Sequence, residues 1–222
     1  MKATCSCMIL VGNSADTIAR CLNSATTSGC FEKIILLIDT RTKLPTRKII
    51  ASYVRLNPQL FKIIEYIWSE PADFAAARNE AIRNMDTDYG FWLDTDEELV
   101  DPEAIRKMLE NPQGKAFLMW VKSRVKNGTF DMYQPRLFPV RPGVFFECAV
   151  FERLDWSLRR QNIEMVKTSY SPIWHRGYMD FKILAKKNKR NLQSAAMWLD
   201  SYRFNDEQRS HLIEQYHALV GR

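Results

Sequence analysis

Residues 33–39 read Lys-Ile-Ile-Leu-Leu-Ile-Asp, five aliphatic side chains in a row that end at an acid. A short unbroken apolar run is typical of a strand that is buried on both faces, as in a parallel sheet. Residues 18–25, which precede it, carry apolar side chains at helical spacing. The stretch therefore predicts an α/β fold in which helices flank a mostly parallel sheet.

The rest of the first half repeats this alternation of β-rich runs and helical patterns. Strands are predicted over residues 3–11, 33–39, 61–67 and 90–94. Four helices are expected to follow them, because each has a typical start signal. These signals are Ser14 as a cap, Pro45 in a helix that ends at Asn57-Pro58, a start near Asp73, and the run Asp101-Pro102-Glu103.

The pattern changes after Gly114. Three strands are predicted over residues 116–125, 129–140 and 144–151, separated by turns at Asn127-Gly128 and Arg141-Pro142-Gly143. These strands predict a small antiparallel section. From about Asp180 the pattern is helical and basic, so we expect one domain over residues 1–178, with halves 1–113 and 114–178, and a helical extension over 179–222.

Composition narrows the class of protein. The 222 residues are 46% hydrophobic and 26% charged, and no segment approaches the roughly 18 apolar residues of a membrane-spanning helix. The first residues form too short an apolar stretch for a signal peptide, and the five cysteines contain no Cys-x-x-Cys pair. We expect buried thiols in a cytoplasmic protein.

The net charge of +6 favours anionic partners mildly, although ordinary solubility explains it equally well.

An acidic cluster follows the predicted strand 90–94. Asp94 and Asp96 have one residue between them, so both carboxylates can turn toward a hard cation such as Mg²⁺ or Mn²⁺. An EF-hand loop is excluded, because its turn position would be Leu99. The alternative is that the acids only solvate a loop and favour the following helix, which would suit Glu97 and the acids after it better than Asp94.

Common phosphate-binding loops are absent from the sequence. Neither Gly-x-Gly-x-x-Gly nor Gly-x-x-x-x-Gly-Lys-Ser/Thr occurs, which argues against a dehydrogenase and a P-loop NTPase. A bound diphosphate would need a metal and basic side chains instead. Arg78 is a candidate, and the alternative is an ordinary surface arginine on an amphipathic helix.

These motifs together resemble family 2 glycosyltransferases with the GT-A fold, over about residues 4–200. Two central blocks carry the resemblance, Asp73-Phe-Ala-Ala-Ala-Arg-Asn79 and Phe91-Trp-Leu-Asp-Thr-Asp-Glu-Glu-Leu99. Later blocks resemble the bacterial branch that includes lipopolysaccharide core glucosyltransferases. They are Pro135-Arg-Leu-Phe138, Val144-Phe-Phe-Glu147, Val150-Phe-Glu-Arg-Leu154, His175-Arg-Gly-Tyr178 and the basic residues 187–192.

The resemblance implies a nucleotide-diphosphate sugar donor, usually a UDP-sugar, a divalent metal and transfer with inversion. The first half of the domain would bind the nucleotide and the second half the acceptor. Asp96 would hold the metal, and Asp94 would contact the ribose or the metal through water. Asp39 would hydrogen-bond the base and Arg78 would lie beside the nucleotide. Val11 and Asn13 would line the same pocket.

Inversion also needs a carboxylate that takes the acceptor proton. Glu152 is the first candidate and Glu147 the second. The alternative for both is an acid paired with Arg153 or Arg136. The resemblance places His175 near the metal or the diphosphate, although a hydrogen-bonded core histidine would look the same in sequence. His211 and His217 are expected at the surface of the last helix.

The sequence does not identify the acceptor. It could be a lipopolysaccharide or capsule sugar, a glycolipid, a peptide or modified DNA, and nucleic acid is the least favoured of these. Peripheral contact of the basic residues 182–190 with the inner face of a membrane, and a homodimer, are also left open. Two other classes remain. A nucleotidyltransferase usually has a Gly-rich loop where this chain has only Gly12, and a decayed binding module would fit Phe151, where the family often has a His.

Overall fold

The computed structural model describes residues 2–70, 72–125, 128–169 and 172–175, together with isolated positions between 189 and 214. The predicted extension over 179–222 therefore lies largely outside the described residues. The same holds for the block 176–178, for His217 and for the basic residues 182–190 apart from Lys189.

Nine strands and five helices have defined bounds within the described residues. The strands are β1 Cys5–Val11, β2 Lys33–Asp39, β3 Phe61–Tyr66, β4 Tyr89–Asp94, β5 Glu97–Leu99, β6 Ala116–Val125, β7 Gly128–Pro139, β8 Met165–Lys167 and β9 Ile173–His175. The helices are α1 Ile18–Thr27, α2 Leu44–Leu56, α3 Phe74–Arg83, α4 Pro102–Glu110 and α5 Asp155–Arg160.

All nine strands belong to one mixed sheet. Its order is β3-β2-β1-β4-β7-β6-β9-β5, and β8 pairs with β6. The first four strands are parallel, whereas β7 runs antiparallel to both β4 and β6. The predicted fold class, a mostly parallel sheet with helices and a small antiparallel section, is confirmed. Only Thr95 and Asp96 separate β4 from β5, which lies at the far end of the order, so the sheet curls around this link.

The core lies on both faces of the parallel strands. Along β1, Cys7 and Ile9 pack into one apolar layer, while Met8 between them packs into the opposite one with Trp92 and Phe138. This alternation explains why β1 and β2 are apolar at nearly every position. Burial of each large aliphatic side chain stabilises the fold by roughly 1.5–3 kcal/mol. All five cysteines are buried free thiols, as predicted.

Of the two predicted helix caps, Asp101 is present and Ser14 is wrong, and Asp73 at the predicted start of α3 is a further cap. The Asp73 carboxylate accepts a hydrogen bond from the backbone N–H of Ala76 at 2.8 Å, and Asp101 caps α4 in the same way. Ser14 does not cap α1, which begins only at Ile18 and has no side-chain cap. Instead, the backbone carbonyl of Ser14 accepts hydrogen bonds in a turn that precedes the helix.

The predicted strand over residues 144–151 is also wrong. Glu147 makes an isolated bridge to Arg153, and the chain reverses between them. Cys148 and Phe151 have φ values of 66° and 59°, which no strand accommodates. Most apolar residues of this segment are buried, although Phe145 is 41% exposed, so the sequence predicted burial for most of the segment correctly and its backbone conformation wrongly. The turn at residues 141–143 is present, with Val144 N–H donating to the Arg141 carbonyl at 3.2 Å.

Gly90 on β4 allows a close approach between layers. A Cβ at this position would lie 2.6 Å from Cζ of Phe138 and 2.9 Å from Sδ of Met85. We expect Gly90→Ala to lower the free energy of unfolding by about 1–3 kcal/mol, because the buried ring must move. Urea unfolding measures the change. Gly12→Ala is the matched control, since nothing lies within 4 Å of its added Cβ. An equal loss in both variants would contradict this packing.

Candidate active site at the carboxyl ends of the strands

The link between β4 and β5 places the two aspartates at one edge of the sheet. The backbone N–H of Asp94 donates to Oε2 of Glu97 at 2.8 Å, and the Cys21 thiol donates to the Asp94 carbonyl at 3.3 Å. The Asp94 side chain is 41% exposed, whereas that of Asp96 is 10% exposed. Solvent and ligands can therefore reach the Asp94 carboxylate from this edge.

A buried ion pair between Arg136 and Glu97 stabilises the link between β4 and β5. Both guanidinium nitrogens of Arg136 contact the two carboxylate oxygens of Glu97 at 2.6 Å, and Nη1 also donates to the Trp92 carbonyl at 3.1 Å. The guanidinium lies 3.4 Å from the centre of the Trp92 ring. Glu97 is 2% exposed, so the alternative that it solvates a loop is wrong for this residue. Its carboxylate instead neutralises Arg136 and fixes the Asp94 backbone.

Removal of one partner from this pair should be strongly destabilising. We expect Arg136→Met to lower the free energy of unfolding by about 3–5 kcal/mol, because Glu97 would keep an unpaired buried charge. Arg83→Met is the control: Arg83 pairs with Glu80 at the surface, where an ion pair contributes about 0–1 kcal/mol. Chemical denaturation compares the two variants, and equal losses would show that the buried pair does not support the fold.

Arg78 joins Asp94 to Glu152. Its Nη2 donates to Oδ1 of Asp94 at 2.8 Å, and its Nε donates to Oε1 of Glu152 at 3.0 Å. The guanidinium lies over the Trp92 ring at 4.1 Å and over Phe146 at 5.5 Å. Its Nη1 is buried and has no hydrogen-bond partner among the described residues. The alternative of a surface arginine is therefore wrong, since Arg78 is buried at this edge of the sheet.

The two acids on Arg78 have opposite pKa shifts. Burial raises the pKa of Glu152, and the attraction of Arg78 only partly offsets that effect. Burial also acts to raise the pKa of Asp94, but Arg78 and Arg136 outweigh it, so the net shift is downward. Asp94 therefore stays ionised, while Glu152 has the greater affinity for a proton. Carboxylates whose pKa values are pushed apart suit a division of roles between charge stabilisation and proton transfer.

Asp96 lies next to His175. β9 pairs with β5 in a register that sets His175 opposite Glu97, and its Nε2 lies 3.4 Å from Oδ2 of Asp96. When two ligand atoms bind one metal ion through bonds of about 2.1 Å, they lie roughly 3 Å from each other. The separation between Nε2 of His175 and Oδ2 of Asp96 is therefore compatible with a shared cation.

No group of three or more His, Cys, Asp or Glu side chains placed to hold a metal occurs among the described residues. Mg²⁺ is usually held by one or two carboxylates together with water and substrate phosphates, so a smaller set of protein ligands suffices. The residues that could hold the ion are Asp96, His175 and, through its exposed side, Asp94.

The other predicted donor residues lie at the ends of β1 and β2. Asp39 accepts hydrogen bonds from Nε and Nη2 of Arg41 at 3.1 and 3.0 Å. Asn13 accepts one from the backbone N–H of Lys43 at 2.7 Å. Val11 is fully buried in the core, and its carbonyl accepts a hydrogen bond from Oγ1 of Thr42 at 3.4 Å. Because β2, β1 and β4 are parallel neighbours, these residues and Asp94 share one edge of the sheet.

The acids proposed as proton acceptors are both paired, although not with the arginines expected from sequence. Glu152 contacts Arg78, and Glu147 contacts Arg160. Arg153 pairs with Asp155 instead. The expectation that His211 is a surface group is wrong, because its side chain is buried.

Asn79 on α3 has a structural role. Its amide nitrogen donates to the Phe146 carbonyl at 2.8 Å, and its amide oxygen accepts from the Phe146 N–H at 2.7 Å. These two hydrogen bonds fix the segment after β7 to α3.

Arg136 was not predicted as a site residue. The sequence feature that could have indicated it is a charged residue within the otherwise apolar end of β7.

Comparison with known proteins identifies the family. Residues 6–179 match the family model described as glycosyl transferase family 2. The chain belongs to the family 2 glycosyltransferases. A curated relative, a TPR repeat-containing protein of Synechococcus elongatus, is 30% identical over 203 residues, which cover 87% of this chain. This glycosyltransferase chain spans 47% of that relative's length.

Solved structures agree with the fold. The mannosyltransferase PcManGT from Pyrobaculum calidifontis, in complex with GDP-Man and Mn²⁺, has a TM-score of 0.62 and 11% identity over 98% of this chain and 70% of its own. S. aureus TarS 1–349 in complex with UDP-GlcNAc has a TM-score of 0.63 and 10% identity over 97% and 72%. The GT-A fold implied by the sequence resemblance is thereby confirmed.

Among the described residues, no helix is both long and apolar enough to cross a bilayer.

Proposed function

We propose that this family 2 member is an inverting, metal-dependent glycosyltransferase that moves a sugar from a nucleotide-diphosphate donor to a saccharide, glycolipid or other acceptor. The observation that carries the proposal is the position of Arg78. One buried guanidinium holds an ionised aspartate and a second carboxylate of raised pKa at the ligand-binding edge of the sheet. In such a transferase the ionised aspartate would help to hold the cation beside the leaving diphosphate, and the second carboxylate would lie beside the acceptor hydroxyl.

The donor is expected to lie along the ends of β2, β1 and β4. Asp39 would accept a hydrogen bond from the base in place of Arg41, with Val11 and Asn13 beside it, and the diphosphate would extend toward Asp96. UDP-GlcNAc and GDP-Man in the structures of TarS and PcManGT support a nucleotide-sugar donor for this chain as well. We favour a UDP-sugar, in keeping with the sequence resemblance.

The metal would be Mn²⁺ or Mg²⁺, held by Asp96 and His175 with Asp94 nearby. When bound, it neutralises negative charge that develops on the departing diphosphate. Mn²⁺ in the PcManGT structure supports this cofactor. Asp94 in turn keeps Arg78 charged and in place, since the acids around that guanidinium raise its pKa despite burial.

Glu152 would remove the proton from the attacking hydroxyl. As the acceptor oxygen bonds to the anomeric carbon, the bond from that carbon to the diphosphate oxygen breaks on the opposite side, and the configuration inverts. Burial favours protonation of Glu152, which makes it a stronger base than an exposed glutamate. Glu147 is the second candidate.

The acceptor and the division of the chain are parts of the same proposal. Residues 1–113 would bind the nucleotide and 114–178 would face the acceptor, followed by the extension 179–222. The later sequence blocks, which resemble those of lipopolysaccharide core glucosyltransferases, support a saccharide acceptor.

Nucleotide release tests the proposed function. Purified protein with Mn²⁺ and either UDP-GlcNAc or GDP-mannose should release UDP or GDP, with water or an added saccharide as the acceptor, and EDTA should stop the release. Proton NMR of the product should show inversion at the anomeric carbon. Retention of configuration, or full release in EDTA, would contradict the proposal.

A further inference from the structure

The segment that carries Glu152 is a short closed loop. We call residues 147–153 the Glu152 loop. Its ends are joined by two backbone hydrogen bonds, from Glu147 N–H to the Arg153 carbonyl at 2.9 Å and from Arg153 N–H to the Glu147 carbonyl at 2.8 Å. Inside the loop, the Ala149 carbonyl accepts from the N–H of Phe74 at 2.7 Å, which ties the loop to the start of α3.

Phe151, directly before Glu152, has a left-handed backbone with φ of 59°. A bulky residue seldom adopts this conformation, and it persists only where surrounding contacts hold it. The conformation matters for Glu152, because the Phe151 carbonyl belongs to the peptide group that leads into Glu152. Whatever fixes that carbonyl also fixes the direction in which the Glu152 side chain leaves the backbone.

His211 supplies such a contact from far along the chain. Its Nε2 lies 3.2 Å from the Phe151 carbonyl oxygen, and its Nδ1 lies 3.4 Å from Nη1 of Arg153. Arg153 can only donate, so Nδ1 must be the acceptor and Nε2 must carry the proton given to Phe151. The ring packs edge-on against Trp156 with centroids 5.5 Å apart. Burial lowers the pKa of His211, in agreement with a neutral ring.

We propose that His211 is a positioning residue for Glu152, acting through the Phe151 carbonyl. It lies beyond residues 6–179, the part of the chain that matches the family model, so residues outside the matched domain complete the site. This inference rests on the proposed role of Glu152. Its structural part, the support of the Glu152 loop by His211, can be tested without any substrate.

Hydrogen exchange tests the support directly. In the full-length His211→Ala variant, amides of peptides that cover residues 144–154 should exchange about tenfold faster than in the wild type, while those of β1 and β2 should not change. His211→Gln should restore most of the protection, since its amide can donate to Phe151 and accept from Arg153. Ser210→Ala, at an exposed neighbour, is the control. Unchanged exchange in His211→Ala would overturn the proposal, as would faster exchange throughout the protein.

Kinetics with UDP-GlcNAc or GDP-mannose, whichever donor the wild type uses, test the effect on Glu152. His211→Ala should lower kcat for nucleotide release by roughly 10-fold to 100-fold and leave the donor KM within about twofold, with recovery in His211→Gln. Wild-type kcat in His211→Ala would overturn the positioning role. Failure of the wild type to release nucleotide would instead contradict the proposed function, and the exchange result would then stand by itself.

Discussion

Glu152→Gln is expected to lower kcat for glycosyl transfer by about 10²–10⁴-fold, the usual contribution of a general base. Glutamine has the same shape and can still accept the hydrogen bond from Nε of Arg78, but it cannot take a proton from the acceptor. Donor binding should therefore persist. Steady-state kinetics together with calorimetric titration of the donor nucleotide measure the two effects separately.

Glu147→Gln is the matched control for that prediction. Glu147 lies in the same loop and contacts Arg160, not Arg78. Its replacement should change kcat by less than about tenfold. Loss of a true general acid or base lowers kcat by at least about 10²-fold, so the two cases are distinguishable. If the Glu152 variant keeps full activity and the Glu147 variant loses it, the base is Glu147 and the assignment made from Arg78 is wrong.

Asp96→Asn is expected to weaken Mn²⁺-dependent nucleotide binding by about 10²-fold or more, because it removes a charged ligand from the proposed cation site. The carboxamide keeps the side-chain shape, so the fold should be retained. The readout is the Mn²⁺ concentration that gives half-maximal nucleotide release. Glu103→Gln, which makes the same chemical change on the surface of α4, should leave that concentration unaltered. An unchanged Mn²⁺ requirement in Asp96→Asn would exclude Asp96 as the ligand.

Much of the sheet could be predicted from local sequence, because its signals are local. The apolar run of β2 identifies a strand buried on two faces, and the caps at Asp73 and Asp101 place the starts of α3 and α4. In parallel α/β sheets the strand ends converge on one edge. Asp39 and Asp94 could therefore be placed at a common edge without any knowledge of their contacts.

The contacts inside the site could not be predicted, because they join residues that are distant in sequence. Glu97 contacts Arg136 because β7 lies beside β4 in the sheet. The sequence around Glu97 is equally compatible with an acid that solvates a loop, so this ion pair could not be predicted. Residues 144–151 were predicted as a strand because most of them are apolar, while the reversal depends on left-handed backbone at Cys148 and Phe151. The burial of His211 depends on the Glu152 loop and has no local signal.

Calorimetric titration of the wild-type protein with UDP, with and without Mn²⁺, tests the central claim most directly. The account predicts UDP binding that is at least about tenfold tighter with Mn²⁺ and that loses this difference in Asp96→Asn. Equal affinity in the presence and absence of Mn²⁺, or no binding of UDP under either condition, would contradict a metal-dependent UDP-sugar site at this edge of the sheet.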